Sequence, residues 1–183
     1  KISSHSRVLR LFTTTLMRAI VREPNPDVRT TFIADESYVL GFISEFETCL
    51  ATYAGMGISL WLIYQDLSQI AATYGEHKFE SIVSNCHVRL FSGIKDNFSA
   101  KYISEAMGRT TKTYYEKGRF GFIGDAEHIE RDLATPDEVK GMSRDNFILF
   151  VGENTFTKIP KVPYFQMPEL IGRYNANPYI KGS

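Results

Sequence analysis

The run Ile58–Tyr64, ISLWLIY, constrains this chain more than any other segment. Gly55 and Gly57 precede it and Gln65-Asp66 follow it, so both ends are punctuated. An apolar run this short reads as a parallel strand covered on both faces, and it is far too short to cross a bilayer. Shorter strands are expected at Thr30–Ala34, Val88–Ser92 and Phe147–Val151. Helical patterns alternate with them. Val8, Leu11, Phe12, Leu16, Ala19 and Ile20 recur at helical spacing, and Pro24 and Pro26 end that pattern. Leu40, Ile43, Phe46, Leu50 and Ala54 mark a second helix, and Asp66–Tyr74 and Lys78–Asn85 two more. Asn97 is expected to cap a helix ending at Gly108, and Thr135 a short one that opens with Pro136. Residues Thr113–Asp132 read as a hairpin or loop excursion, and the segment from Pro160 onward as irregular. Alternating strands and helices imply right-handed crossovers and an α/β fold, a mainly parallel sheet with helices on both faces.

Charge narrows the function classes only a little. The 21 basic and 21 acidic residues cancel, so the whole molecule carries no electrostatic footprint for nucleic acid. Arg7, Arg10, Arg18 and Arg22 share one side of the first helix and read as a solvated face. Cys49 and Cys86 fit no metal-ligand or redox spacing and read as buried thiols of a reducing compartment. His5, His77, His87 and His128 show no ligand spacing, and Trp61, inside the apolar run, reads as core. No signal peptide is visible. A start at Lys1, directly in a helical pattern, reads as a fragment whose membrane anchor lies elsewhere.

The chemistry is expected at strand ends, because ligands of open parallel sheets bind at the C-terminal edge. Phe32-Ile33-Ala34 runs into Asp35-Glu36, the pattern in which one carboxylate holds Mg²⁺ through water and the next polarises the attacking water. The competing reading is an acidic cap on the next helix. Ile58–Tyr64 runs into Gln65, whose amide donates and accepts without bringing charge, which suits contact with a γ-phosphate. Its competing reading is a neighbour of the Asp66 helix cap. Asp96-Asn97 at a third strand end can face nucleotide or cap a helix. Tyr114-Tyr115, Lys117 and Arg119 are a weaker candidate for stacking single-stranded DNA.

Three stretches make the pattern specific: FIADESYVLGFISEFETCLATYAGMGISLWLIYQDLSQI, YGEHKFESIVSNCHVRLFSGIKDNFSAKYISEAMGRTT and LATPDEVKGMSRDNFILF. Together they resemble the C-terminal part of the motor domain of type IV secretion system coupling proteins (the TraG/TraD type), over about Ser6 to Pro168. The resemblance implies a RecA-like P-loop ATPase with Asp35-Glu36 as Walker B and Gln65 as the sensor. It implies ATP and Mg²⁺ as cofactors, with Asp35 on the metal and Glu36 and Gln65 catalytic. It also implies a homo-hexamer, an inner-membrane anchor on the parent chain, and a cytoplasmic motor. Relaxase-bound DNA or protein effectors would be the cargo, delivered to other type IV secretion components. On this reading residues 1–168 belong to the nucleotide-binding domain and 169–183 form an irregular tail.

The sequence departs from the family in three places. No G-x-x-x-x-G-K-[ST] loop occurs in it, so the phosphate-cradling Walker A strand is missing from this chain. Ala54 stands where many members carry an Arg, and no Lys or Arg occurs between Arg29 and Lys78. Where an arginine finger operates its loss removes about 10³–10⁵ in rate, and Arg89 and Arg109 are the candidate substitutes. Ser37 stands where the family usually has an aromatic residue. Two other functions compete: a cell-division-type double-stranded DNA pump, and a non-hydrolysing subunit that completes a ring or docks substrates.

Overall fold

A computed structural model describes residues 5–25, 27–117, 123–152 and 155–175, the side chains of 112–117 and 123–129 excepted. The chain opens with helix α1 (Ser6–Arg22), strand β1 (Thr30–Ala34), a single turn α2 (Ser37–Leu40) and α3 (Ser44–Thr52). A 3-10 turn (Tyr53–Met56) leads into β2 (Ile58–Leu62), α4 (Leu67–Tyr74), α5 (Glu76–Ser84) and β3 (Val88–Phe91). Then come α6 (Asn97–Met107), the hairpin β4 (Arg109–Lys117) and β5 (Ile123–Asp132), α7 (Pro136–Lys140), β6 (Asn146–Val151) and β7 (Thr155–Pro160). Two 3-10 turns, Tyr164–Gln166 and Pro168–Leu170, close the described chain.

The α/β class stands, and β1 pairs with β2 in parallel, Thr30 opposite Ile58 through Ala34 opposite Leu62. The sheet is less parallel than the alternation suggested. β6, expected as a further parallel strand, runs antiparallel to β3, and β7 pairs antiparallel on its other side. A whole hairpin and α7 separate β3 from β6, so the chain returns from the far end instead of making a simple crossover. The β7 strand, which the sequence pattern did not mark, ends at Pro160, where the segment expected to be irregular begins, and it stays at an edge, where a proline is tolerated.

Local chemistry explains the helix starts. Asp66 caps α4 by accepting from the Gln69 amide at 3.0 Å. Thr135 and Glu138 form a reciprocal capping box on α7, with Pro136 at the first helical position. Asp96, not Asn97, caps α6: its Oδ1 accepts from the Ser99 amide at 2.7 Å. Asn97 lies one residue inside the helix and its side-chain oxygen accepts from Lys140 Nζ at 2.9 Å.

Burial is one-sided around the parallel pair. Phe32, Ala34, Ile58, Leu60 and Leu62 face α1 and α3, packing with Met17, Ile43, Phe46 and Cys49. The alternate positions face outward: Ile33 and Trp61, directly opposite each other in the ladder, are each 62% exposed. Trp61 is therefore not core in this chain, and the apolar run is covered on one face only. A second cluster joins α4 and α5 through Leu67, Ile70, Tyr74, Phe79, Ile82 and Val83. A third joins α6, α7 and β6 through Ile103, Val139, Ile148 and Phe150. Phe91 and Tyr102 pack against both, tying the two clusters together.

Candidate functional site

Parallel pairing places the C-terminal ends of β1 and β2 on one edge, and the expected chemistry follows the two strands there. Asp35 and Glu36 leave β1, and Gln65 follows β2 by three residues. All three side chains are exposed. Among the described residues neither carboxylate makes an ion pair, so both remain open to an ionic ligand.

The junction between the two ends is fixed by Ser37. The Ile63 amide donates to Ala34 O at 3.1 Å, and the Ser37 amide donates to Ile63 O at 2.9 Å. The Ser37 hydroxyl, fully buried, donates to Ala34 O at 2.8 Å and accepts from the Ile63 amide at 3.2 Å. Between these anchors Glu36 adopts φ 53, ψ 51, the one left-handed non-glycine residue among those described. Such a conformation costs an L-residue roughly 1–2 kcal/mol and persists only where its flanks are held. Sequence reasoning missed Ser37. The sequence marked it only as a serine standing where the family usually has an aromatic residue, with no role in the site.

Behind the edge the site is apolar with a few hydroxyls. The Tyr64 hydroxyl is buried beside the Tyr74 and Ser37 side chains. Burial, with Tyr74 beside it, holds this phenol well above its ordinary range. The Tyr74 hydroxyl lies 3.4 Å from both the amide and the carbonyl of Ile43. The Gln65 amide nitrogen of the backbone donates to Gln69 Oε1 at 3.1 Å, leaving the Gln65 side chain free of that contact.

The remaining candidates separate cleanly. Ala54 is exposed in the 3-10 turn at the opposite, N-terminal edge of β2, where it lines a shallow concavity with Arg29, Gly57 and Ser59. Arg89 is not available as a mobile finger. Its guanidinium stacks over the Phe150 ring at 5.1 Å and donates to Tyr102 Oη at 2.9 Å and Gly152 O at 3.2 Å. Arg109 is exposed but pairs with Glu130 and Asp132 at the base of the hairpin. Tyr114, Tyr115, Lys117 and Arg119 lie outside the described side chains. Cys49 is buried and its thiol is pushed up to about 11 by that burial, whereas Cys86 is half-buried. No cluster of His, Cys, Asp and Glu able to hold a metal occurs among the described residues, and no described helix is long and apolar enough to cross a membrane.

Residues 1–181 match the family described as type IV secretory system conjugative DNA transfer. The conjugal transfer protein TraG of Rhizobium radiobacter is 28% identical over 184 residues, covering 96% of this chain and 29% of that protein. The type IV secretion system-coupling protein VirD4 of Bartonella quintana (strain Toulouse) is 28% identical over 156 residues, 81% of this chain and 24% of its own length. The chain thus spans less than a third of these relatives. Among solved structures, the bacterial conjugative coupling protein TrwBdeltaN70 in its unbound form superposes with a TM-score of 0.70 at 17% identity, over 86% of this chain and 38% of that one. TrwB has also been solved in complex with ADP and Mg²⁺. The likeness gives the fold as RecA-like.

Proposed function

The chain belongs to the type IV secretory system conjugative DNA transfer family, and we propose that it supplies the carboxylate half of the ATP site in a coupling motor. The observation that carries this reading is the shared edge: Asp35-Glu36 and Gln65 leave neighbouring parallel strands at the same end. Nucleotide and Mg²⁺ fit there, because two exposed carboxylates without a protein cation are the donor set a hydrated hard cation takes. TrwB, with the same fold, binds ADP and Mg²⁺. Bound ATP-Mg²⁺ supplies the transferable phosphoryl group and neutralises charge on it. Asp35 would hold the hydrated metal. Glu36, turned out of the strand by its left-handed backbone, orients the attacking water and takes its proton on a carboxylate oxygen. Gln65 would contact the γ-phosphate through its amide and report its loss along β2 into α4. The Walker A loop comes from sequence outside this chain.

In the whole protein this segment lies in the C-terminal part of the motor domain, residues 1–168, with 169–183 as a tail. The motor is a homo-hexamer of copies anchored in the inner membrane by a segment outside these residues. It drives relaxase-bound DNA or protein effectors toward other secretion components. Ala54, exposed where many family members carry an Arg, favours a second reading as a non-hydrolysing ring subunit. Comparing the full-length protein with its Glu36→Gln variant separates the two. The substitution should lower ATP turnover by about 10²–10⁴ while nucleotide binding holds, since the lost interaction matters in the transition state. Undiminished turnover in that variant would refute the role given to Glu36, and no turnover in the unaltered protein would favour the second reading.

A further inference from the structure

We propose that Ser37 is a positioning residue for the catalytic turn, its hydroxyl locking the Asp35-Glu36 corner onto the strand that carries Gln65. The inference rests on the ATPase reading above. Three observations carry it. First, the turn from Ala34 to Ser37 closes on a single residue, Ile63, which lies two positions before Gln65. A shift of Ile63 is therefore felt at both ends of the corner. Second, the hydroxyl is 0% exposed and engaged as donor and as acceptor, to groups on both strands, 2.8 Å to Ala34 O and 3.2 Å from the Ile63 amide. Water cannot replace a group that buried. Third, the residue between the anchors is Glu36 itself, held in a backbone conformation it would leave if its flanks were slack.

The division of labour follows from which bonds need the side chain. Without the hydroxyl, the Ile63 amide still donates to Ala34 O at 3.1 Å and the Ser37 amide still donates to Ile63 O. The strands therefore stay paired and the fold survives. What goes is the cross-link that stops the corner from rocking against β2. A loosened corner lets the Glu36 carboxylate wander from the attacking water, while Asp35, one residue from Ala34 whose carbonyl keeps its bond from the Ile63 amide, stays near the metal, and the remaining phosphate contacts lie outside the corner. An aromatic side chain at this position offers no such bridge, and the fully enclosed site leaves no room for one.

The test uses the full-length protein in its assembled form, with steady-state ATPase kinetics on four variants. Ser37→Ala and Ser37→Cys should lower kcat by about 10- to 100-fold, as expected when a reacting group is misplaced by a fraction of an ångström to an ångström. KM for ATP should stay within about threefold, because the lost contact is not to substrate. Ser37→Thr, which keeps the hydroxyl, should retain most of kcat. A role confined to stability would instead lower the melting temperature and leave kcat per folded molecule intact. Should the Ala variant fail to assemble, the Cys and Thr variants decide: a kcat gap between them supports the proposal and equal kcat overturns it. Glu36→Gln runs alongside. If it is inactive while Ser37→Ala and Ser37→Cys turn over normally, the positioning role fails alone; if it remains active, the role given to Glu36 in the ATPase reading fails.

Discussion

Glycine at position 36 should make the protein more stable than alanine does, the reverse of the usual order. At an ordinary exposed position Gly is worse than Ala by about 0.5–1 kcal/mol, because it loses more backbone freedom on folding. Glu36 is exposed and its carboxylate makes no ion pair among the described residues, so truncating it removes little packing. Its backbone, however, lies at φ 53, ψ 51. Alanine inherits the left-handed penalty of roughly 1–2 kcal/mol and glycine escapes it. Subtracting the midpoint of the entropic term from that of the left-handed penalty leaves glycine ahead by about 0.75 kcal/mol. For a cooperative unit of this size that is a rise in Tm of about 1–4 °C. The assay is a pair of thermal melts at matched protein concentration, without nucleotide so that ligand linkage does not enter. Both variants should be inactive. An alanine variant that melts at or above the glycine variant would refute the left-handed corner, and with it the argument that Ser37 and Ile63 hold Glu36 in place.

Two further outcomes follow from the charged groups. Glu138 closes the α7 capping box, and the Arg131 guanidinium with the Thr135 amide hold its carboxyl down to about 2. A depressed folded-state value means the contribution is full above the ordinary Glu range, about 4.3, and is lost as pH falls from there toward 2; an NMR pH titration of the Thr135 amide should follow that window. Arg18 pairs with Glu45 across α1 and α3, and although burial alone would raise the Glu45 carboxyl, its backbone hydrogen bond and Arg18 bring it below the ordinary value. Arg18→Ala should therefore destabilise by about 1–2 kcal/mol, read from urea midpoints, by leaving an 8% exposed carboxylate without its cation.

What the sequence made legible was local. Asp66 and Thr135 sit directly before apolar helical patterns and need only neighbouring amides, so spacing alone found both caps. The same logic placed Asp35, Glu36 and Gln65 at strand ends, because an apolar strand stopping at polar residues is a property of contiguous sequence. Position relative to other strands was less accessible. The apolar content of Phe147–Val151 says strand and nothing about direction, which depends on the route the chain takes through α6, the hairpin and α7. Trp61 misled for a related reason: an apolar run signals that a face can be buried, while the covering of each face depends on what packs there. Here α1 and α3 cover the Leu60 face and leave the Trp61 face open. Asn97 lost the cap to Asp96 by one residue, since both side chains can accept and only the backbone angle at Asp96, φ -84, ψ 150, decides between them. The bonds that hold Ser37 were not legible, because its partners at Ala34 and Ile63 are backbone groups that carry no sequence signal.

This sheet edge is proposed to face a metal-bound nucleotide, and the metal dependence of binding tests that most directly. Titration calorimetry of ADP against the full-length protein, at several Mg²⁺ concentrations, should show binding strengthened by the ion. Asp35→Asn keeps the size and removes the charge at the place assigned to the metal. It should abolish most of that Mg²⁺ dependence and weaken ADP binding at saturating Mg²⁺ by at least about tenfold, or about 1.4 kcal/mol, while Mg²⁺-free binding stays unchanged. Identical Mg²⁺ dependence in Asp35→Asn and the unaltered protein would contradict the account, because Asp35 would then not be holding the metal.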